Sequence, residues 1–148
     1  MATVHMEITR ESVTAGLERH DDERRVRIAS QLDIVTARKA VRELAGKLGF
    51  ATCEVTVIAS AVSEIARNIV EHAVLGEVTV RVVREPRRQG IVVIAADRGP
   101  GIANITRAMQ DGFSTGLGLP GAKRMMDEFS IVSTVGEGTT VTMRKWVA

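Results

Sequence analysis

Between Val55 and Ala73 the aliphatic residues fall at Val55, Ile58, Ala59, Val62, Ile65, Ala66, Ile69 and Ala73. This is the i, i+3, i+4, i+7 spacing of a single helical face. Thr52 stands where the N-cap of such a helix is expected, and Gly76 where it stops. Two β-branched runs follow at once, residues 77–84 (EVTVRVVR) and 90–96 (GIVVIAA). They read as an antiparallel hairpin across the polar EPRRQG turn. A helix with one apolar stripe must bury it, and a neighbouring hairpin offers a matching face. The chain is thereby constrained to a layered α and β arrangement.

The rest of the chain extends both layers. Residues 24–29 alternate apolar and polar as a strand, and residues 4–8 do so more loosely. The charged LERHDDERR stretch between them reads as a solvated turn or helix end. Leu32, Val35, Ala40 or Val41, Leu44 and Leu48 mark a further helix, ended by Gly46 and Gly49. Downstream, residues 105–109 form a short helical candidate. Residues 112–121 are glycine-rich. Residues 122–129 suggest another short helix, with Leu119, Met125 and Phe129 as core contacts. Residues 131–135 and 139–146 form a last hairpin across GEG. The expected fold is α+β: a two-layer sandwich with helices on one face of a mixed, mostly antiparallel sheet. A chain of 148 residues is the right size for one domain spanning 1–148.

Composition narrows the function. Three Phe, one Trp and no Tyr leave an aliphatic core and few rings on which bases could stack. Twenty basic against 18 acidic residues give a net charge of +2, too small a surplus to argue for a nucleic-acid backbone. Cys53 is the single cysteine, which excludes an internal disulfide and a cysteine zinc site. His5, His20 and His72 are scattered without ligand spacing. The longest apolar run, residues 91–96, is strand-length and far short of the ~20 residues that span a bilayer. The N-terminus has no apolar signal region. The expectation is a cytoplasmic protein with no membrane or nucleic-acid partner.

Three local patterns carry chemistry. Glu64 and Asn68 are i, i+4 neighbours on the polar face of the striped helix, with Arg67 and Glu71 beside them. They read either as a solvated face with Glu64–Arg67 and Arg67–Glu71 contacts, or as oxygen donors to a hard cation. One amide oxygen suits magnesium carried by a nucleotide, because Mg²⁺ takes few protein ligands besides phosphate and water. Asp97-Arg98-Gly99-Pro100-Gly101 closes the 90–96 strand at the sheet edge. It reads as a plain turn, or as an acceptor for a ligand amine with glycines that let a flat ring approach. Gly116-Leu117-Gly118-Leu119-Pro120-Gly121 matches G-x-G-x-x-G but follows the polar MQDGFST rather than a strand, so the dinucleotide reading fails its context. It also lacks the Gly-Lys-Ser/Thr order of a P-loop. What remains is a mobile linker, or backbone N–H groups at a helix start that receive phosphate.

Taken together, Glu64-x-x-x-Asn68, Asp97-x-Gly99-x-Gly101, Gly116-x-Gly118-x-x-Gly121 and Gly138-Thr139-Thr140 resemble the N, G1, G2 and G3 boxes of the GHKL ATPase and kinase superfamily. Within it, SEIARNIVEHA, DRGPGI, DGFSTGLGLPGAKRMMDEF and GEGTTV resemble the small bacterial serine kinases that act as anti-sigma factors and switch proteins. The likeness is greatest to the switch kinases of the stressosome, and runs from about Arg24 to the end. It implies a Bergerat-type ATP-binding fold. It implies Glu64 as general base, Asn68 as Mg²⁺ ligand and Asp97 as acceptor for the adenine amine. Gly99, Gly101 and Ile102 would frame the base. Gly116, Leu117, Gly118 and Gly121 would belong to the ATP lid, and Thr139 would lie near adenine. The implied cofactors are ATP and Mg²⁺. The implied partners are STAS-domain scaffold or antagonist proteins and a PP2C-type phosphatase. Thr115 runs straight into Gly116, a shorter lid than the family pattern, with fewer backbone donors for phosphate. The alternative on the same fold is an anti-sigma-like binding module with little or no turnover.

Overall fold

The computed structural model describes residues 22–110 and 118–148. The element order is β1 (Glu23–Ile28), α1 (Gln31–Leu48), α2 (Thr52–Asn68), a π-helical turn (Ile69–Ala73), β2 (Gly76–Glu85), β3 (Arg88–Asp97), α3 (Ile105–Ala108), α4 (Leu119–Met125), β4 (Glu128–Thr134) and β5 (Gly138–Trp146). The expected strand at residues 4–8, most of the LERHDDERR stretch and residues 112–117 of the glycine-rich tract lie outside the described residues.

The five strands form one sheet in the order β1-β2-β3-β5-β4. Every pairing among them is antiparallel, so the described sheet contains no parallel pair. Val26, Ile28, Val78, Val80, Ile91, Val93, Ala95, Val141 and Met143 point to one face and are buried. The helices cover that face. Ile58, Ala59, Val62, Ile65, Ala66 and Ile69 of the striped segment are all buried there, as the spacing predicts. The core is aliphatic, with Phe50 its one fully buried aromatic among the described residues. Removing a branched side chain from such a core typically costs about 2–5 kcal/mol.

Local chemistry explains the helix limits. Ser30 caps α1, and the Asp33 carboxylate accepts hydrogen bonds from Ala29 N–H (2.8 Å), Ser30 N–H (3.0 Å) and Ser30 Oγ (3.2 Å). The Ala29 bond is the largest influence holding the Asp33 carboxyl below its ordinary range. A depressed carboxylate stabilises the fold at neutral pH, and that contribution is lost as pH falls through the folded-state value. Gly49 ends α1 in the left-handed conformation (φ 90°), with its N–H on the carbonyls of Ala45 and Gly46. Gly46 stays inside the helix. Leu32 and Val35 prove exposed, and the buried stripe of α1 runs instead through Ile34, Ala37, Val41 and Leu44. Leu32 and Val35 therefore lie on the solvent side of α1, while Ile34 between them turns into the core.

The N-cap of α2 is Ala51, not Thr52; its backbone is extended and no side chain caps the helix. Ala51→Ser is expected to supply the missing acceptor and stabilise the protein by about 0.5–1 kcal/mol, read as a raised thermal midpoint. The stripe does not continue as α-helix to Ala73. The chain widens into the π-helical turn and exits through Val74 at φ 73°, a conformation rarely adopted by a β-branched residue. Gly76 opens β2 rather than stopping the helix. The last short helix lies earlier than its apolar residues suggest: α4 ends at Met125, and Phe129 belongs to β4.

Candidate nucleotide site

The second half of α2, the π-helical turn and the ends of β3 and β5 converge on a cavity of about 300 Å³. That is the lower end of the usual range for small-molecule sites, about 300–1,000 Å³. Its apolar walls come from Ile65 and Ile69 on the helical side and Ala95 and Val141 from the sheet. Asn68, Asp97, Gly101, Ile102 and Thr139, five of the residues singled out by their motifs, line the same space. His72 and Pro100 were not singled out for it and also line it. The wide turn after Asn68 brings His72 to this wall.

Asp97 is the last residue of β3, the middle strand of the sheet. It therefore sits at the end of the central strand rather than beside an outer one. Its Oδ1 accepts from Gly99 N–H (2.8 Å) and Thr139 N–H (3.3 Å). The described residues offer no hydrogen-bond partner to Oδ2, so one carboxylate oxygen organises the turn and the other stands without a protein donor. The plain-turn reading of this aspartate is realised on Oδ1.

The DRGPG loop is fastened to the β4–β5 hairpin. Gly136 N–H donates to Pro100 O at 2.8 Å. Gly101 has φ 78°, and a Cβ there would lie 2.5 Å from the Thr134 carbonyl oxygen. Only glycine meets both demands, the left-handed backbone and the close approach. Ile102 N–H donates to Ser133 Oγ at 2.7 Å. No sequence motif marks Ser133, because its role depends on a contact 31 residues away along the chain. Its one legible signal is its position opposite Thr139 across the GEG hairpin.

Glu64 stands one helical turn before Asn68 but does not line the cavity. Its Oε1 accepts from Arg67 Nη1 at 2.6 Å, and the backbone of Gly118 packs against its other carboxylate oxygen. The Glu64–Arg67 contact is present; no Arg67–Glu71 pair is formed among the described residues. Gly118 is the left-handed N-cap of α4 (φ 65°), and Leu119 buries the start of that helix against the cavity. Gly121 lies within α4, and a Cβ there would make only an ordinary contact with the Met125 side chain, at 3.9 Å. Gly116 and Leu117 lie outside the described residues.

No group of three His, Cys, Asp or Glu among the described residues could hold a metal. The amide of Asn68 is the one motif oxygen donor on the helical wall. This donor set fits a magnesium ion that arrives with phosphate and keeps most of its ligands from phosphate and water. No described helix is long and apolar enough to cross a membrane.

Comparison with known proteins assigns the family. Residues 19–145 match the histidine kinase-like ATPase domain. The serine/threonine-protein kinase RsbT of Bacillus subtilis is 46% identical over 131 residues, covering 86% of this chain and 98% of that protein. The anti-sigma F factor of Caldanaerobacter subterraneus is 35% identical over 121 residues, covering 75% of this chain and 83% of the relative. That of Geobacillus thermodenitrificans is 36% identical over 124 residues, covering 76% and 83%. The chain belongs to the histidine kinase-like ATPase domain family, with a serine/threonine-protein kinase and anti-sigma factors among its relatives.

Proposed function

We propose that the chain is an ATP-dependent protein serine kinase that phosphorylates a STAS-domain partner and acts as a switch in a stressosome-type stress response. The observation that carries this is the Asp97 carboxylate at the end of an apolar cavity. One oxygen is held by two backbone amides, and the other is free for an exocyclic amine. The 46% identity to a serine/threonine-protein kinase supports transfer rather than binding alone.

In this reading the adenine lies among Ile69, Ala95, Ile102 and Val141, with its amine on Asp97. Gly101 and Ile102 frame the base through their backbone, beside Gly99. Asn68 contributes its amide oxygen to magnesium, which when bound neutralises phosphate charge. Gly116, Leu117, Gly118 and Gly121 contribute to the segment facing the phosphates. Glu64 accepts the proton of the substrate serine as its oxygen bonds to the γ-phosphorus and the bond to the β–γ bridging oxygen breaks. Arg67 orients that carboxylate. Positioning and charge neutralisation supply the catalysis, with no covalent enzyme intermediate. The partners are STAS-domain scaffold or antagonist proteins in one state and a PP2C-type phosphatase in the other. The setting is the cytoplasm, where ATP is available.

Calorimetric titration with ATP and Mg²⁺ tests the reading. The wild-type protein is expected to bind, and Asn68→Ala to bind at least about tenfold more weakly, the cost of one lost charge-linked contact. A wild-type protein that binds neither ATP nor ADP at millimolar concentration overturns it. Labelled ATP with a STAS partner separates the two classes of function. Partner binding without phosphate transfer by the wild type marks a non-catalytic module.

A further inference from the structure

Ser133 lies on β4 directly across from Thr139 of β5 and belongs to none of the site motifs. Its hydroxyl oxygen accepts the Ile102 N–H at 2.7 Å. Two other oxygens compete for its single proton. Thr139 Oγ1 is 2.8 Å away and the Gly138 carbonyl oxygen is 3.2 Å away. Hydroxyl hydrogen bonds to oxygen centre on about 2.7–2.8 Å. The threonine contact has that length, with either hydroxyl able to donate, and the carbonyl contact is the longer of the two.

We infer that Ser133 is a specificity-positioning residue, donating its proton to Thr139 Oγ1 so that Thr139 turns its own proton into the cavity. The inference rests on the reading of this cavity as a nucleotide site. A hydroxyl that has accepted one hydrogen bond still has one proton to place. With Ser133 as donor, the Thr139 proton is released toward the ligand. The cavity wall then presents an acceptor, Asp97 Oδ2, beside a donor, the Thr139 hydroxyl. The Thr139 N–H bond to Asp97 Oδ1 keeps the two residues adjacent. A ring carrying an exocyclic amine next to an unprotonated nitrogen matches that order, as adenine does. Guanine offers the reverse order, a carbonyl oxygen beside a ring N–H. Ser133 thereby sets which purine the wall accepts without touching it.

The test is titration of Mg-ATP and Mg-GTP into the wild type, Ser133→Ala and Ser133→Thr. The wild type is expected to prefer ATP. Ser133→Ala is expected to lose about tenfold in ATP affinity, the size of one hydrogen bond, with GTP affinity unchanged or raised. Ser133→Thr is expected to restore the preference. In a Thr139→Val background, Ser133→Ala is expected to leave the ATP-to-GTP ratio where Thr139→Val put it, because the two residues act through one hydroxyl. Ser133→Cys keeps the volume, weakens the donor and is expected to move the ratio the same way should the alanine variant not fold. Equal loss of both nucleotides means that Ser133 merely holds Ile102, and overturns the inference. So does an unchanged ratio. A wild type that binds neither nucleotide overturns the nucleotide reading, and this inference with it.

Discussion

Glu64→Gln is expected to bind Mg-ATP as the wild type does and to transfer phosphate about 10²–10⁴-fold more slowly, the usual contribution of a positioned general base. The separation follows from where Glu64 lies. It stands outside the cavity lining, so the nucleotide walls are unchanged. Its carboxylate is set by Arg67 on one oxygen and by the Gly118 backbone on the other, and glutamine fills the same space without accepting a proton. The Glu64–Arg67 pair is about two-fifths exposed on both sides, so its loss costs at most about 1 kcal/mol. Unfolding therefore does not mimic lost catalysis. Calorimetry measures the first quantity and labelled ATP with a STAS partner the second. Transfer at the wild-type rate would remove Glu64 from the mechanism.

Asp97→Asn is expected to fold and to lose ATP affinity by about 10²-fold or more. The carboxamide oxygen can still receive the amides of Gly99 and Thr139, so the turn survives. The NH₂ group then occupies the place of the free oxygen. A charge-assisted acceptor, worth about 1.5–3 kcal/mol, becomes a donor facing a donor. Asp97→Ala is expected to behave differently. It also strips the acceptor from two backbone N–H groups, and should lower the thermal midpoint as well as binding. An Asn variant with wild-type affinity would show that the ligand does not use this oxygen.

These expectations draw on features that were unequally legible in the residues. The stripe from Ile58 to Ile69 is legible because a face buried along its whole length keeps one period. Leu32 and Val35 misled because exposed aliphatic residues are common on protein surfaces. The π-helical turn was hidden: five residues are too few to distinguish its period from the 3.6 of the helix before it. Phe129 suits a helix end or a strand equally, and its pairing with Met143 across the hairpin decides for the strand. Asp97, Gly101 and Thr139 were legible as motif members. Their meeting point was not, because it depends on β3 pairing with β5 across the α3 and α4 segment. Ser133 lay beyond reach for the same reason.

That β3–β5 ladder joins the N-terminal half of the cavity, built from α2, the π-helical turn and β3, to the C-terminal half, lined from Leu119 of α4 and from β5. The two halves are adjacent in space but some 40 residues apart in sequence, so their docking closes a long loop at a cost in chain entropy. A ligand held between them binds only after docking. By mass action it stabilises the docked state, by about 2.7 kcal/mol at a concentration one hundred times its dissociation constant. The nucleotide supply of the cell would then govern how long each folded molecule persists, apart from how fast it signals.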